Sequence, residues 1–220
     1  MRISKIWIRW EELVFMKIVF IGDSITDADH NYTTDRLGNG YVKIICEKLK
    51  EKDMEIWNKG HDGFTISGLW RLLEMDCLSK EPDIVSILIG SNDISVKMNT
   101  GKTLEEQKFQ ETYEKLLEKI RSRTNAEIIC MGSFIFPKPV EYVSWIPDIR
   151  CCEKMVEEIA LKYGAKFLPL HDYLNEKAME KSVDYITTDG IHLTAQGAEL
   201  LAGKWLEETA NWLDKSSEIS

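Results

Sequence analysis

The stretch KIVFIGDSIT (residues 17–26) passes from an apolar run into Gly22-Asp23-Ser24. A short apolar run that ends at a glycine is typical of a buried strand in a parallel sheet. Similar runs recur along the chain and predict further strands at 54–57, 83–89, 127–131 and 166–168. Segments with apolar residues at helical spacing separate these runs. The sequence therefore predicts one α/β domain: a three-layer α/β/α sandwich with a central parallel sheet.

The predicted helices lie between the predicted strands. Apolar residues recur at helical spacing in 41–50, 66–78, 148–163 and 194–213. Thr103 followed by Glu106 is a capping-box pattern and predicts that a further helix begins there and continues to Ile120. The run DIVSILI (residues 83–89) is the most apolar of the strands, and we expect it at the centre of the sheet.

The first fifteen residues do not resemble the rest of the chain. They begin with basic residues, but Arg9, Glu11 and Glu12 interrupt the apolar positions and no small-residue cleavage site follows. This pattern is neither a signal peptide nor a membrane span. We therefore expect an N-terminal extension at 1–15, a natural start at Met16 and a single domain over 16–220.

Charge and cysteine content restrict the partners. A formal net charge of −9 argues against nucleic acid and against an anionic membrane surface, and it leaves neutral small molecules and oligosaccharides. The five cysteines form no CxxC pair, which favours reduced thiols and a cytoplasmic protein. Of Cys151 and Cys152, one is expected to be buried and the other exposed. Exposed aromatic residues would permit a homo-oligomer.

Unusual polar residues follow three predicted strands, at the edge where parallel sheets bind ligands. These segments are GDSIT (22–26), NKGHDG (58–63) and GSND (90–93), and a fourth segment, DGIH (189–192), lies near the C-terminus. A serine hydroxyl attacks an acyl carbon only when a base and an orienting acid activate it. Asp189 and His192 are three residues apart, so one turn can present both to Ser24. The predicted catalytic residues are therefore Ser24, His192 and Asp189.

An acyl-transfer site also needs hydrogen-bond donors for the developing oxyanion. The backbone N–H groups of Ser24 and Gly60 and the side-chain amide of Asn92 can supply three. This chemistry needs no metal and no cofactor, and we expect none.

The four segments together resemble the motif blocks of the SGNH (GDSL-type) hydrolases, in the family's order. GDSI stands here where the family name has GDSL. The resemblance implies a flavodoxin-like sandwich and hydrolysis of an ester or related acyl bond. Asp27 and the segment LGNGYV (37–42) are similar to a branch that includes intracellular acetylxylan esterases. We therefore expect a serine esterase, specifically a carbohydrate O-acetylesterase.

Other interpretations stay open at this point. Ser24 alone could be a helix N-cap, and Asn92 a turn residue. Asp23, Asp27 and Asp29 could belong to a metal-dependent phosphoesterase. Within the resembling family, a lysophospholipase or thioesterase is the alternative, and a carbohydrate-binding protein without activity is a further one.

Four residues are candidates for substrate contact: Asp23, His61, Tyr142 and Trp145. For Asp23 a structural hydrogen bond beside the nucleophile is the competing expectation. Tyr142 and Trp145 belong to a proline-rich aromatic loop, and aromatic faces suit sugar rings and acyl chains alike. His30 is expected to be exposed, and His171 is expected at the surface, where a helical segment begins.

Overall fold

The computed structural model describes residues 15–214 and contains a parallel sheet of five strands. The spatial order of the strands is β2-β1-β3-β4-β5, with every pair of neighbours parallel. Their bounds are β1 Met16–Gly22, β2 Met54–Gly60, β3 Ile84–Leu88, β4 Glu127–Met131 and β5 Lys166–Leu168. The predicted fold class is confirmed, with β3 in the centre of the sheet.

Nine helices surround this sheet in the described part of the chain. Four of them are α1 Ser24–Asp27, α4 Ser91–Thr100, α7 His171–Glu180 and α8 Val183–Ile186. The segment with Asp189 and His192 follows α8. The others are α2 Tyr41–Lys48, α3 Ile66–Asp76, α5 Phe109–Arg123, α6 Ile146–Lys162 and α9 Ala195–Leu213. Together they form the two outer layers of the sandwich.

Side chains of β1 alternate between two cores, one on each face of the sheet. Ile18 and Phe20 pack with residues of α2, α7 and α9. Val19 and Ile21 pack with residues of α3, α5 and α6 on the other face. All four side chains are almost fully buried, as expected for a strand covered by helices on both sides.

One buried polar contact ties a helix to the centre of the sheet. Trp205 of α9 is fully buried, and its indole N–H donates to the Ser86 hydroxyl of β3 over 3.0 Å. A serine in the most apolar strand is tolerated because this hydrogen bond satisfies it.

The start of α5 differs from the prediction. Thr103 and Glu106 do exchange the capping-box hydrogen bonds. The helix nevertheless begins at Phe109, because Lys108 adopts a left-handed conformation (φ 56°) that interrupts the helical path. Helix α4 was not predicted from the sequence.

The cysteine pair follows the prediction, since Cys152 is buried and Cys151 is exposed. Among residues 15–214, no helix combines the length and the apolar character that crossing a bilayer requires. The expected N-terminal extension lies outside the described residues, apart from Phe15.

Candidate active site

Ser24 is the first residue of α1, directly after β1. The N-cap of this helix is Asp23, whose Oδ1 accepts a hydrogen bond from the Ile25 N–H over 3.0 Å. Because Asp23 caps the helix, the Ser24 hydroxyl is not needed for that role. The N-cap interpretation of Ser24 is therefore wrong, and the hydroxyl is free for another contact.

That contact is with His192. The distance from His192 Nε2 to Ser24 Oγ is 2.9 Å, and the distance from His192 Nδ1 to Asp189 Oδ2 is 2.6 Å. The carboxylate of Asp189 can only accept, so Nδ1 carries the proton and Nε2 can accept from the serine hydroxyl. These three side chains have the arrangement of a serine nucleophile with its base and its orienting acid.

Asp189 is held by its own turn. Its Oδ1 accepts from the backbone N–H groups of Ile191 (2.9 Å) and His192 (2.8 Å). Partial burial acts to raise the pKa of Asp189, but the hydrogen bonds from the His192 side chain and from these two N–H groups outweigh it, and the pKa is lowered. The carboxylate therefore stays ionised and can stabilise a positive charge on His192.

Two predicted oxyanion donors are available. The Ser24 N–H, at the first position of α1, makes no hydrogen bond within residues 15–214. Asn92, near the start of α4, donates one amide hydrogen to the Phe64 carbonyl over 3.0 Å, which leaves its second amide hydrogen available.

The backbone N–H of Gly60, the third predicted donor, is not available to an oxyanion. Its N–H already donates to Asn58 Oδ1 over 3.0 Å. Strand β2 continues to Gly60, which is paired with Gly22 inside the sheet. A Cβ at this position would lie 2.1 Å from the Asp27 nitrogen, so the glycine allows β2 to pack against α1. The apolar pattern predicted that this strand ends at Trp57, so Gly60 was expected in the loop that follows.

Gly63 is the residue that sequence reasoning missed. It lies in the loop after β2 with φ 70°, and its N–H has no hydrogen-bond partner in the described chain. Its neighbours Asp62 and Phe64 both line the cavity at Ser24. The signal was present in NKGHDG (58–63), because only the second glycine follows the end of the strand.

A cavity of about 800 Å³ opens at Ser24 and His192. One wall comes from the loop between β2 and α3, with His61, Asp62 and Phe64. The opposite wall comes from the polar segment after α1, and its side chains were not predicted as site residues. They include Asp29, Asn31, Tyr32 and Asn39. The sequence signal was a polar segment at a strand's carboxyl end, where ligands of such sheets bind.

Of the four predicted substrate contacts, only His61 lines this cavity. Asp23 is buried behind Ser24 and acts as the helix cap. Tyr142 and Trp145 pack together with ring centroids 4.8 Å apart and cover a core cluster. Tyr142 lies beside the triad turn, because its ring would be 2.9 Å from a Cβ at Gly190.

Two other histidines lie elsewhere than expected. His30 is buried, with Nδ1 2.5 Å from Asp27 Oδ1, and is not exposed. His171 begins α7 as predicted but is buried, and its Nδ1 accepts from the Ile135 N–H over 3.4 Å. Both expectations of exposure were wrong because long-range packing covers these polar side chains.

The acidic residues do not converge. Asp23 caps α1, Asp27 contacts His30, and Asp93 accepts from the Ile66 N–H. Within residues 15–214, no group of three or more His, Cys, Asp or Glu side chains is placed to hold a metal ion. The metal-dependent alternative therefore has no ligand set in this part of the chain.

Comparison with known proteins extends these observations. Residues 20–200 match the sequence model of the GDSL-like lipase/acylhydrolase family. An acetylxylan esterase from Geobacillus stearothermophilus is 28% identical over 207 residues, which cover 87% of this chain and 93% of the relative.

Comparison with solved structures finds proteins of similar fold. The structure of a tryptophan-to-isoleucine variant of a Geobacillus stearothermophilus acetyl xylan esterase has a TM-score of 0.78 at 26% identity, covering 89% of this chain and 96% of that one. A Parabacteroides merdae structure assigned as a GDSL-like lipase has a TM-score of 0.82 at 27% identity, covering 89% and 95%. Catalytic mutants of the Geobacillus esterase carry alanine in place of a serine, an aspartate and a histidine.

Proposed function

The chain belongs to the GDSL-like lipase/acylhydrolase family of ester-hydrolysing enzymes, and from that premise we propose a serine esterase whose catalytic triad is Ser24, His192 and Asp189. One observation carries the proposal: continuous short contacts, of 2.9 Å and 2.6 Å, link the serine hydroxyl to the histidine and the histidine to the aspartate. The hydroxyl can thus pass its proton to His192, while Asp189 orients the ring and stabilises the imidazolium.

In the first half of the reaction, Ser24 Oγ attacks the acyl carbon while His192 Nε2 takes the hydroxyl proton. Asp189 accepts the hydrogen bond from Nδ1 and stabilises the imidazolium that forms. When the tetrahedral intermediate collapses, His192 gives its proton to the departing alcohol. The acyl group is then bound to Ser24 as an ester.

The oxyanion of the intermediate needs donors fixed before the reaction begins. We assign the Ser24 N–H, the free amide hydrogen of Asn92 and the Gly63 N–H to this role. Gly63 replaces Gly60, whose N–H is engaged by Asn58. The Asn92–Phe64 hydrogen bond supports the assignment, because it ties the amide to the loop that carries Gly63.

In the second half, water takes the place of the alcohol. His192 Nε2 removes a proton from the water, which attacks the acyl-enzyme carbonyl through the same oxyanion site. Collapse releases the carboxylic acid and restores the Ser24 hydroxyl. The cavity is open to solvent at His192, whose side chain is 46% exposed, so water can reach the acyl-enzyme.

The relatives support these roles. In the Geobacillus esterase, the replaced aspartate and histidine are three positions apart, as Asp189 and His192 are here. The same three residue types in the same fold favour the same roles of nucleophile, base and orienting acid.

The test is replacement of the nucleophile. Ser24→Ala should reduce the hydrolysis of 4-nitrophenyl acetate by at least about 10³-fold, since triad members act as a unit. The circular dichroism spectrum and the melting temperature should not change. Ser122→Ala is the matched control, because that exposed hydroxyl contacts only Lys119 in its own helix, and it should keep full activity. Undiminished activity in Ser24→Ala would overturn the proposal.

For the substrate, we favour the acetyl ester of a carbohydrate. The Geobacillus relative is an acetylxylan esterase, and the cavity at Ser24 is lined mainly by polar side chains. A long apolar pocket, which a lysophospholipase or thioesterase would need, is not seen at Ser24 in the described residues. Acetate release from acetylated xylo-oligosaccharides is the direct measurement.

Chain length separates the two substrate classes. The 4-nitrophenyl esters of acetate and of a long fatty acid share one leaving group and differ only in the acyl half. The acetyl ester should be turned over with the higher kcat/KM. Faster hydrolysis of the long-chain ester would favour the lipid alternative and contradict the acetylesterase.

We also propose that the enzyme works in the cytoplasm. The support is that its five cysteines are all unpaired, which suits a reducing compartment. Thiol titration of the denatured protein, purified without reductant, should count five thiols. A lower count would indicate disulfides and contradict this compartment.

A further inference from the structure

A further histidine–carboxylate pair lies beside the cavity of Ser24, and its histidine, His61, lines that cavity. His61 Nε2 is 2.7 Å from Oδ2 of Asp76, at the end of α3. Asp76 is buried, with only 6% of its surface exposed. Because a carboxylate accepts hydrogen bonds and cannot donate them, Nε2 carries the proton. The lone pair of the neutral ring is therefore on Nδ1.

The His61 ring is held in place on two further sides. It stacks on Phe64 with ring centroids 4.4 Å apart and planes inclined by 22°. Its backbone N–H donates to the Gly22 carbonyl over 3.0 Å, next to the Asp23-Ser24 turn. The ring therefore has a fixed position relative to the nucleophile.

Nδ1 of this fixed ring is available to a ligand. It has no hydrogen-bond partner among the described residues, and it does not belong to their buried, unpartnered side-chain atoms, which are Asp23 Oδ2 and the Tyr113 hydroxyl. His61 lines the cavity together with Ser24 and His192. A residue that lines the cavity thus has an oriented, unpaired acceptor that the reaction at Ser24 does not use.

The charge around this acceptor has one sign. The described lining of the cavity contains three aspartates and no lysine or arginine. Asp27 is paired with His30, whereas Asp29 and Asp62 are exposed and form no ion pair within residues 15–214. An alcohol with a negative charge would be repelled here, and a hydroxyl-rich neutral one would find several hydrogen-bond acceptors.

We propose that His61 is a specificity-determining residue, which accepts a hydrogen bond from a hydroxyl of the alcohol half of the ester in a subsite for neutral saccharides. Asp76 is its positioning residue, and Asp29 and Asp62 exclude anionic alcohols. The inference rests on the proposed hydrolysis at Ser24 and specifies which part of the substrate the cavity recognises. His61 acts in binding, since Ser24 already has its base in His192.

The first test compares a sugar ester with an ester that has no sugar hydroxyl. His61→Phe keeps a ring for stacking on Phe64 and removes the acceptor. It should lower kcat/KM for acetylated xylobiose about fivefold, mainly through KM, the loss expected for one hydrogen bond. The loss on 4-nitrophenyl acetate, which has no sugar hydroxyl for His61 to bind, should be clearly smaller than the loss on acetylated xylobiose. His61→Asn, which keeps an acceptor near the position of Nδ1, should recover part of the loss.

Asp76 has its own readout. Asp76→Asn can still accept from Nε2–H, so the KM for acetylated xylobiose should stay near that of the wild type. Asp76→Ala frees the ring and should raise this KM about as much as His61→Phe does. Activity on 4-nitrophenyl acetate reports whether either variant is folded. An equal loss on both substrates would indicate a merely structural role and overturn the positioning role.

The second test changes only charge. Acetylated glucuronic acid and its methyl ester have the same ring, and only the acid is negative at neutral pH. The wild type should release acetate from the acetylated methyl ester at least about tenfold more efficiently than from the acetylated acid. The double variant Asp29→Asn, Asp62→Asn should reduce this preference. No preference in the wild type would overturn the charge selection.

The outcomes separate this inference from the proposed function. Ser24→Ala tests the triad on 4-nitrophenyl acetate, which has no sugar hydroxyl for His61 to bind. If Ser24 is essential but His61→Phe affects both esters equally or neither, the triad stands and the subsite is overturned. If the wild type releases no acetate from acetylated xylobiose, the saccharide subsite is likewise overturned while the triad stands.

Discussion

Asp23 stands one residue before the nucleophile and is almost fully buried. Its Oδ1 caps α1, but its Oδ2 has no hydrogen-bond partner among the described residues. Burial raises the pKa of Asp23 to about 7, although the Ile25 N–H and the charge of His192 act in the opposite direction. Burial likewise raises the pKa of Asp93 to about 7, against the hydrogen bond from Ile66. Near pH 6 both carboxyls therefore keep their protons in the folded protein.

The raised pKa values predict how stability depends on pH. Between about pH 4 and pH 7 the folded state holds protons that the unfolded chain has released, so the contribution of each carboxyl to stability falls as the pH rises. Asp23→Asn keeps the cap and cannot ionise. The stability of Asp23→Asn relative to that of the wild type should therefore be about 2 kcal/mol greater at pH 8 than at pH 5.

Urea unfolding at the two pH values measures this difference. Asp93→Asn should shift in the same direction, because burial raises the pKa of Asp93 as well. A difference between Asp23→Asn and the wild type that is the same at both pH values would contradict the prediction.

At the level of the helices, the turn that joins α8 to α9 sets the position of His192. Thr187 is buried, and its hydroxyl donates to the His192 carbonyl over 2.7 Å and accepts from the Gly190 N–H over 2.9 Å. Gly190 has φ 95°, and a Cβ there would be 1.8 Å from the Lys138 carbonyl oxygen, so only glycine fits. One threonine thus holds both ends of the Asp189–His192 segment.

Replacing Thr187 should weaken the positioning of His192 without changing any residue of the proposed triad. Thr187→Val keeps the shape and removes both hydrogen bonds, so kcat for 4-nitrophenyl acetate should fall roughly tenfold with little change in KM, because small displacements of a base slow the chemical step. The matched control is Thr188→Val, whose exposed hydroxyl makes only a 3.3 Å contact to the same carbonyl. Equal kcat values for the two variants would show that Thr187 does not position the histidine.

The close packing of β2 against α1 leads to a prediction about stability. In Gly60→Ala the new methyl group would overlap the backbone of Thr26 and Asp27, so the free energy of unfolding should fall by about 2 kcal/mol or more. Gly203→Ala, within α9 and with open space around it, should instead raise it by about 0.5 to 1 kcal/mol. Thermal melts of both variants give the comparison. A Gly60→Ala protein as stable as the wild type would show that the backbone can yield there.

For the whole molecule, the described cores and the site lie within residues 16–214. Met16 pairs with Met54 at the start of β1, and the Met16 N–H donates to the Asp53 carbonyl over 3.1 Å. We propose that the domain begins at Met16. A chain that starts there should melt within about 2 °C of the full chain, because a change of that size corresponds to less than about 1 kcal/mol, and it should keep full esterase activity.

A shorter chain provides the control. A chain that starts at Phe20 lacks most of β1, which lies between two other strands of the sheet, and it should not fold. If the chain from Met16 also failed to fold, the proposed domain boundary would be contradicted.

Local sequence patterns were sufficient to predict the architecture and to propose the catalytic residues. Apolar runs of strand length alternate with helical spacing, so hydrophobic burial allowed the α/β sandwich to be predicted from local pattern alone. Ser24, Asn92 and the Asp189–His192 turn could be proposed because each follows a strand end or lies within one short turn. Such features depend on residues close together in the chain.

Local patterns did not predict which glycine N–H is unpaired, which histidines are buried or which side chains line the cavity, because these depend on the tertiary structure. The register between β1 and β2 put Gly60 inside the sheet and left Gly63 outside it. The contact of His61 with Asp76 joins residues 15 positions apart, and the Ser24–His192 contact spans 168. Contacts of this kind depend on how separate elements pack, and packing is a property of the whole fold that local pattern does not encode.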